Sequence, residues 1–175
     1  MDLYREQGIR LTSAHDVARR ADVATATVLN HFSTTDKLVE AALARVLDEL
    51  QLPTGTIFSE AESPRERVMR LVPAMFAFYD RSDAWLEMYQ REIGIVPALQ
   101  DAEARVRQAV QALYTEALGP LLSHGHLGQT VFGLTSPVTL GAMRSTGLTL
   151  DGASAIITKI LAGMVDEALN EIGKK

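Results

Sequence analysis

Apolar positions recur at three- and four-residue steps along most of the chain, the period of an amphipathic helix rather than the alternation of a strand. The clearest stripe is Ala153, Ile156, Ile157, Ile160, Leu161, Met164, Val165, Ala168, Leu169 and Ile172, with Thr158, Lys159, Asp166, Glu167, Asn170 and Glu171 on the other side. Asp151 is the expected N-cap of this helix and Gly173 its stop. A second long helix is predicted from about Pro97 to Leu118, ended by Gly119-Pro120. A third opens at Ser63-Pro64, a cap followed by proline at the first helical position, and its stripe is Val68, Leu71, Val72, Met75, Phe76 and Tyr79. Pro73 inside that stripe predicts a kink and frees the carbonyl of Met69. A separate short helix through Trp85, Met88 and Tyr89 is expected behind a cap at Ser82 or Asp83. Ser136-Pro137 opens another, ending near Thr146-Gly147. Residues 52–62 and 123–135 read as loops, the latter rich in glycine. The predicted fold class is all-α.

The first fifty residues carry a distinct pattern. Ser13-Ala14-His15-Asp16 reads as a helix start with an acid at the third position, where a capping box places it. Val17, Ala18 and Ala21 give that helix an apolar face, and Asp22 follows at a turn. A short helix runs from about Thr25 to His31, Phe32 closes the unit, and Thr34-Thr35-Asp36-Lys37 caps a longer helix carrying Leu38, Ala42, Leu43, Val46 and Leu47. Two short helices joined by a turn of three or four residues make a helix-turn-helix, whose second helix can enter the major groove of DNA.

Composition narrows the possibilities. At 175 residues the chain can bury roughly 70% of its unfolded surface without covalent staples. It has no cysteine, which excludes disulfides, thiolate metal sites and cysteine nucleophiles. The net charge of -5 requires any nucleic-acid binding to be local. No apolar run approaches about 18 residues, so no membrane partner is expected. The start of the chain lacks a basic region followed by an apolar stretch, and a cytoplasmic location is expected.

Residues 11–38, LTSAHDVARRADVATATVLNHFSTTDKL, resemble the DNA-binding region of the tetracycline-repressor (TetR) family of bacterial transcription regulators. Leu3-Tyr4 and Gly8-Ile9 resemble the end of that family's first helix. The spacing from Thr12-Ser13 through Asn30-His31-Phe32 to Leu38 holds without a gap. The other three quarters of the chain match in length, helical content and the final pair of helices. The resemblance implies a helix-turn-helix DNA-binding domain over residues 1–47 and a helical ligand-binding and dimerisation domain over 48–175. It further implies a homodimeric repressor that binds a palindromic double-stranded DNA operator and is released by a small apolar or aromatic effector, with no cofactor and no enzymatic activity. The implied DNA contacts are Thr25, Ala26, Thr27, Asn30, His31, Thr35 and Lys37. The implied effector pocket draws on Met75, Phe78, Tyr79, Trp85, Met88, Tyr89 and Tyr114. The implied dimer interface uses Gly141, Ala142, Ser145, Ile157, Ile160, Leu161 and Met164.

The sequence departs from that family at several positions. Asp22 replaces a usual glycine, Ala24 a serine cap, Leu29 a phosphate-reaching tyrosine, and Thr35 a lysine, with Lys37 two residues later. Residues 1–47 hold six basic and six acidic side chains, so the head is net neutral. Its first helix, over residues 1–8, has about two turns, too few to be stable alone, and reads as truncated. The alternative is a helical small-molecule-binding dimer with a degenerate, non-functional head. Elsewhere, Arg91 and Glu92 read as an exposed pair. His124 and His126 stand at i, i+2 with no third ligand nearby in sequence, so no metal is expected.

Overall fold

The computed structural model describes residues 2–174, and among them the chain is all-α with no strand. The helices are α1 (Asp2–Gln7), α2 (Ala14–Arg20), α3 (Thr25–His31), α4 (Thr35–Leu50), α5 (Pro64–Glu92), α6 (Pro97–Leu118), α7 (Leu127–Leu134), α8 (Pro137–Ser145) and α9 (Leu150–Ile172). Two compact units form: one from residues 1–51 and 82–106, the other from 52–81 and 107–175. Helices α5 and α6 each contribute to both. The unit that holds the N-terminal head thus also contains residues 82–106.

In the first unit, two turns of α1 would not persist in water, and burial supplies what hydrogen bonding cannot. Tyr4 and Ile9 are buried with Val39 and Leu43 of α4, Met88 of α5, and Val96, Leu99 and Ala102 at the start of α6. A smaller cluster of Ala18, Val28 and Leu38, with Val17 and Phe32 against it, holds α2, α3 and the start of α4 together. Gly8 ends α1 at a φ of +91°, a conformation that strains any side chain with a Cβ.

In the second unit, α5 begins with a capping box. The Ser63 hydroxyl accepts from the N–H of Glu66, and the Glu66 carboxylate accepts from the N–H groups of Glu62 and Ser63 at 2.7 and 3.3 Å. Those bonds hold the Glu66 pKa below the ordinary carboxylate range, the Glu62 N–H contributing most. Val68, Leu71, Val72, Met75 and Phe76 are fully buried, as are Ala117, Leu118, Val131, Leu161 and Val165. Tyr114 and Thr135 meet inside this unit through their hydroxyls.

Three sequence expectations need correction. Ser82 and Asp83 cap nothing, because α5 runs unbroken to Glu92: beyond Pro73 no glycine or proline interrupts it. Residues 123–135 are not a loop, because α7 occupies Leu127–Leu134. Gly128 and Gly133 obscure a helical spacing of Leu127, Thr130, Val131 and Leu134, of which Leu127 and Val131 are buried. The cap of α9 is Thr149, whose hydroxyl accepts from the N–H of Gly152 at 3.1 Å, while Asp151 lies in the first turn, where a carboxylate favours the helix dipole.

Candidate nucleic-acid interface

The head is built from short-range bonds that the sequence specifies closely. Ser13 and Asp16 close a reciprocal capping box on α2: the Ser13 hydroxyl accepts from the N–H of Asp16, and the Asp16 carboxylate accepts from the N–H of Ser13 at 3.0 Å and from its hydroxyl at 2.6 Å. These bonds hold the Asp16 pKa below the ordinary carboxylate range. Asp22 takes the left-handed turn conformation with φ +54°, which aspartate tolerates better than most residues. Val23 then donates from its N–H to the carbonyl of Ala18 at 3.0 Å, setting the entry to α3. Ala24 caps α3 without a side-chain hydrogen bond. In compensation, Thr25 Oγ1 lies 3.1 Å from His15 Nδ1 and ties α3 back to α2.

One face of α3 is anchored by Val28, and the opposite face is free. At 3.6 residues per turn, Ala26, Thr27, Asn30 and His31 share that free face, and all four are exposed. Thr25 is half-buried, with its hydroxyl engaged by His15. The His31 ring packs edge-on against Phe32 at 4.6 Å between centroids. Thr35 and Lys37 are exposed on the first turn of α4, where Thr34 accepts from the N–H of Lys37 at 3.2 Å. Lys37 Nζ lies 2.7 Å from Glu40, a bond that raises the ammonium pKa. The structure therefore brings Ala26, Thr27, Asn30 and His31 to one surface and places Thr25 in a tether.

Five of the six cations of the head begin in ion pairs. Arg5 pairs with Asp2, Arg19 with Asp16, Arg20 with Glu6, Lys37 with Glu40 and Arg45 with Glu49, all within 3.2 Å. Such exposed pairs contribute little stability, but each cation must leave or share its carboxylate to meet a phosphate. Arg10 is exposed and belongs to none of these pairs.

Glu92 departs most from the sequence reading. It is not exposed: only 4% of its surface is accessible. Its Oε2 accepts from the N–H of Ile9 at 2.8 Å and of Arg10 at 3.2 Å, closing the turn between α1 and α2. No helical or turn pattern places residue 92 beside residue 9, so a one-dimensional reading has no signal for it.

Residues 1–42 match the family of bacterial regulatory proteins, tetR family. Among proteins of known role, the HTH-type transcriptional repressor KstR2 of Mycobacterium tuberculosis is 28% identical over 90 residues, which cover 51% of this chain and 45% of that protein. KstR2 of Rhodococcus jostii is 26% identical over 91 residues, covering 52% and 45%. The similarity to the tetR family is therefore carried by the N-terminal head. It spans about half the length of the curated relatives it matches. Two solved structures share its fold. Superantigen PfiT gives a TM-score of 0.69 at 19% identity, covering 91% of this chain and 89% of that one. A Rhodococcus sp. protein assigned to the TetR-family transcriptional regulators gives 0.51 at 23% identity, covering 94% and 91%.

The effector residues expected from the tetR-family resemblance are divided between the two units. Met88 is buried in the first unit, with Trp85 and Tyr89 packed against the same cluster. Met75, Phe78 and Tyr114 are buried in the second unit, where Tyr79 is half-buried and its hydroxyl pKa is pushed up by burial. An open groove of about 600 Å³ lies between α5 and α9, and none of these seven residues lines it. Of the expected dimer residues, Ile157 and Leu161 are buried in the chain's own core and Met164 is half-buried. Gly141, Ala142, Ser145 and Ile160 are exposed, and so is Ile156 beside them in the α9 pattern. His124 Nε2 lies 2.9 Å from the Glu171 carboxylate. Among the described residues no helix is long and apolar enough to cross a membrane.

Proposed function

We propose that the chain is a dimeric, effector-responsive transcriptional repressor whose α3 reads one half of a palindromic operator. The observation that carries this reading is the exposed face of α3. Its Thr27 hydroxyl and methyl, its Asn30 amide and the Ala26 methyl are groups that recognise base edges or thymine methyls in the major groove. Val28 and the His15–Thr25 tether fix the helix beneath that face, so little order has to be gained on binding. The match of residues 1–42 to bacterial regulatory proteins and the name of the KstR2 relatives favour the same role.

Dimerisation is assigned to α8 and α9. Ile156 and Ile160 of α9 are 42% and 45% exposed and Val138 of α8 is 79% exposed, apolar surface that a partner would remove from water. Gly141 and Gly163 have open space where a Cβ would stand, which lets a second helix approach closely. Two helices from each subunit would form a four-helix bundle about a twofold axis, and a twofold dimer reads an inverted repeat. A helical small-molecule-binding dimer with a silent head is the second reading. The five ion pairs that occupy five of the head's six cations favour it, and the shared fold with a superantigen carries no function of its own. Enrichment of random DNA duplexes by the purified protein separates the two. The repressor reading expects convergence on an inverted repeat with half-sites about one helical turn apart. A pool that stays unchanged after several rounds contradicts it.

A further inference from the structure

The groove between α5 and α9 has a built polarity. Met69 and Pro73 of α5 and Ala155 and Ala162 of α9 give it apolar walls. Lys159 and Arg65 lie on its lining, and Asp151 marks the other end of the α9 side. Eight residues separate Asp151 from Lys159, about 12 Å along a helix at 1.5 Å per residue. Arg65 lies toward the cationic end, since its Nε reaches Asp166 at 3.0 Å and its Nη1 donates to the Met69 sulfur. The Asp166 carboxylate neutralises Arg65, which leaves Lys159 as the cation without an ion-pair partner among the described residues.

Two polar groups in the lining lack what a helix normally gives them. Thr158 Oγ1 is shut off from water and has no hydrogen-bond partner. A threonine in a helix commonly back-bonds to a carbonyl one turn earlier, and this one does not. The carbonyl of Met69 has no N–H to receive from residue 73, because that residue is proline. The Thr158 hydroxyl has no surface open to the groove, so the charges of Lys159 and Asp151 on the lining are what would discriminate between guests. The volume of about 600 Å³ lies within the usual range for small-molecule sites.

We propose that this groove binds a small apolar monocarboxylic acid. Its carboxylate meets Lys159, its body lies along Met69, Pro73, Ala155 and Ala162, and its uncharged end points toward Asp151. A second anionic group at that end would face the Asp151 carboxylate, so dicarboxylates are selected against. A second copy of this chain is not the occupant favoured here. At about 100° per residue, the exposed stripe of Ile156, Ile160 and Gly163 is centred roughly 140° around α9 from the residues that line the groove. A dimer built on that stripe leaves the groove open. The inference deepens the effector part of the proposed function, and its binding test needs no DNA, so a silent head would leave it standing.

Calorimetric titration of the full chain with decanoate, decanol and decanedioate tests the proposal. Decanoate is expected to bind one per chain, at least tenfold tighter than decanol or decanedioate. Lys159→Gln removes that preference for the acid, Ala155→Trp fills the groove and abolishes binding, and Ile160→Gln on the other face leaves it unchanged. All three positions are exposed, so the fold is not at stake, and circular dichroism checks it. Decanoate that binds equally to all three variants, or does not bind at millimolar concentration, overturns the site. A monomer produced by Ala155→Trp in sedimentation also overturns it, by making the groove a subunit contact.

Discussion

The carboxylate of Glu92, the last residue of α5, accepts a hydrogen bond from the backbone N–H of Ile9 at 2.8 Å. The same oxygen takes the N–H of Arg10, and the Thr12 hydroxyl donates to the carbonyl of Gly8 at 2.6 Å, so the segment leading into the helix-turn-helix is tied down at both ends. Glu92→Ala leaves the Ile9 N–H buried without an acceptor, a loss of about 1–3 kcal/mol. Glu92→Gln keeps an acceptor oxygen and is expected to cost less. Gly8→Ala should reproduce the alanine effect from the other side, since a Cβ there would stand 2.1 Å from Glu92 Oε1 at a φ of +91°. Urea unfolding of the three variants checks the order; a Glu92→Ala variant as stable as the parent contradicts it.

The capping carboxylates make stability depend on acid. Asp16 is held below the ordinary carboxylate pKa mainly by its bonds to Ser13, and Glu66 mainly by the N–H of Glu62. A folded-state pKa below the unfolded one means that the ionised groups stabilise the fold at neutral pH. That contribution is lost as pH falls through the ordinary carboxylate range and then through the lower folded values. Asp16→Asn should lower the melting temperature near pH 7 and flatten its fall between about pH 5 and 2. An unchanged acid profile in the variant would show that the box contributes nothing.

Inside the second unit, Tyr114 and Thr135 predict an asymmetry. The Thr135 hydroxyl donates to the carbonyl of Val131 at 2.8 Å, so in the 2.5 Å contact with Tyr114 the tyrosine must be the donor. Thr135→Val strands a buried tyrosine hydroxyl and is expected to cost about 1–3 kcal/mol. Tyr114→Phe leaves the threonine still donating and should cost less. Equal losses, read from denaturation midpoints, would assign the proton the other way.

The helices were legible wherever capping and period agreed. Ser13, Ser63 and Ser136 announce real starts, and the predicted spans Thr25–His31 and Pro97–Leu118 match the structure. Expectation failed where local signals conflicted with burial: Ser82 and Asp83 resemble caps but lie inside α5, and the glycines of α7 mask a helix held by Leu127 and Val131. The face of α3 followed from its period. The role of Glu92 did not, because it rests on a contact across 83 residues, and neither did the α5/α9 groove, whose lining alternates between two distant segments.

Salt dependence tests the paired cations of the head. Because Arg5, Arg19, Arg20, Lys37 and Arg45 each begin in an ion pair, operator affinity should fall with salt far more gently than the log–log slope of about -10 seen for strongly basic readers. Glu40→Gln releases Lys37 from its 2.7 Å partner and is expected to tighten binding and steepen the slope by about one unit per head. A slope that does not change places Lys37 away from phosphate.

The central claim is that the exposed face of α3 reads DNA, and the affinity of a Thr27→Ala, His31→Ala double variant for the enriched duplex tests it most directly. Both side chains are exposed and neither contributes to the Ala18, Val28 and Leu38 cluster, so helicity and oligomeric state should match the parent. Fluorescence anisotropy is expected to show specific binding by the parent and at least a hundredfold loss in the variant, roughly two bases' worth of discrimination at about 1–3 kcal/mol each. A variant that binds the duplex as tightly as the parent would contradict the account.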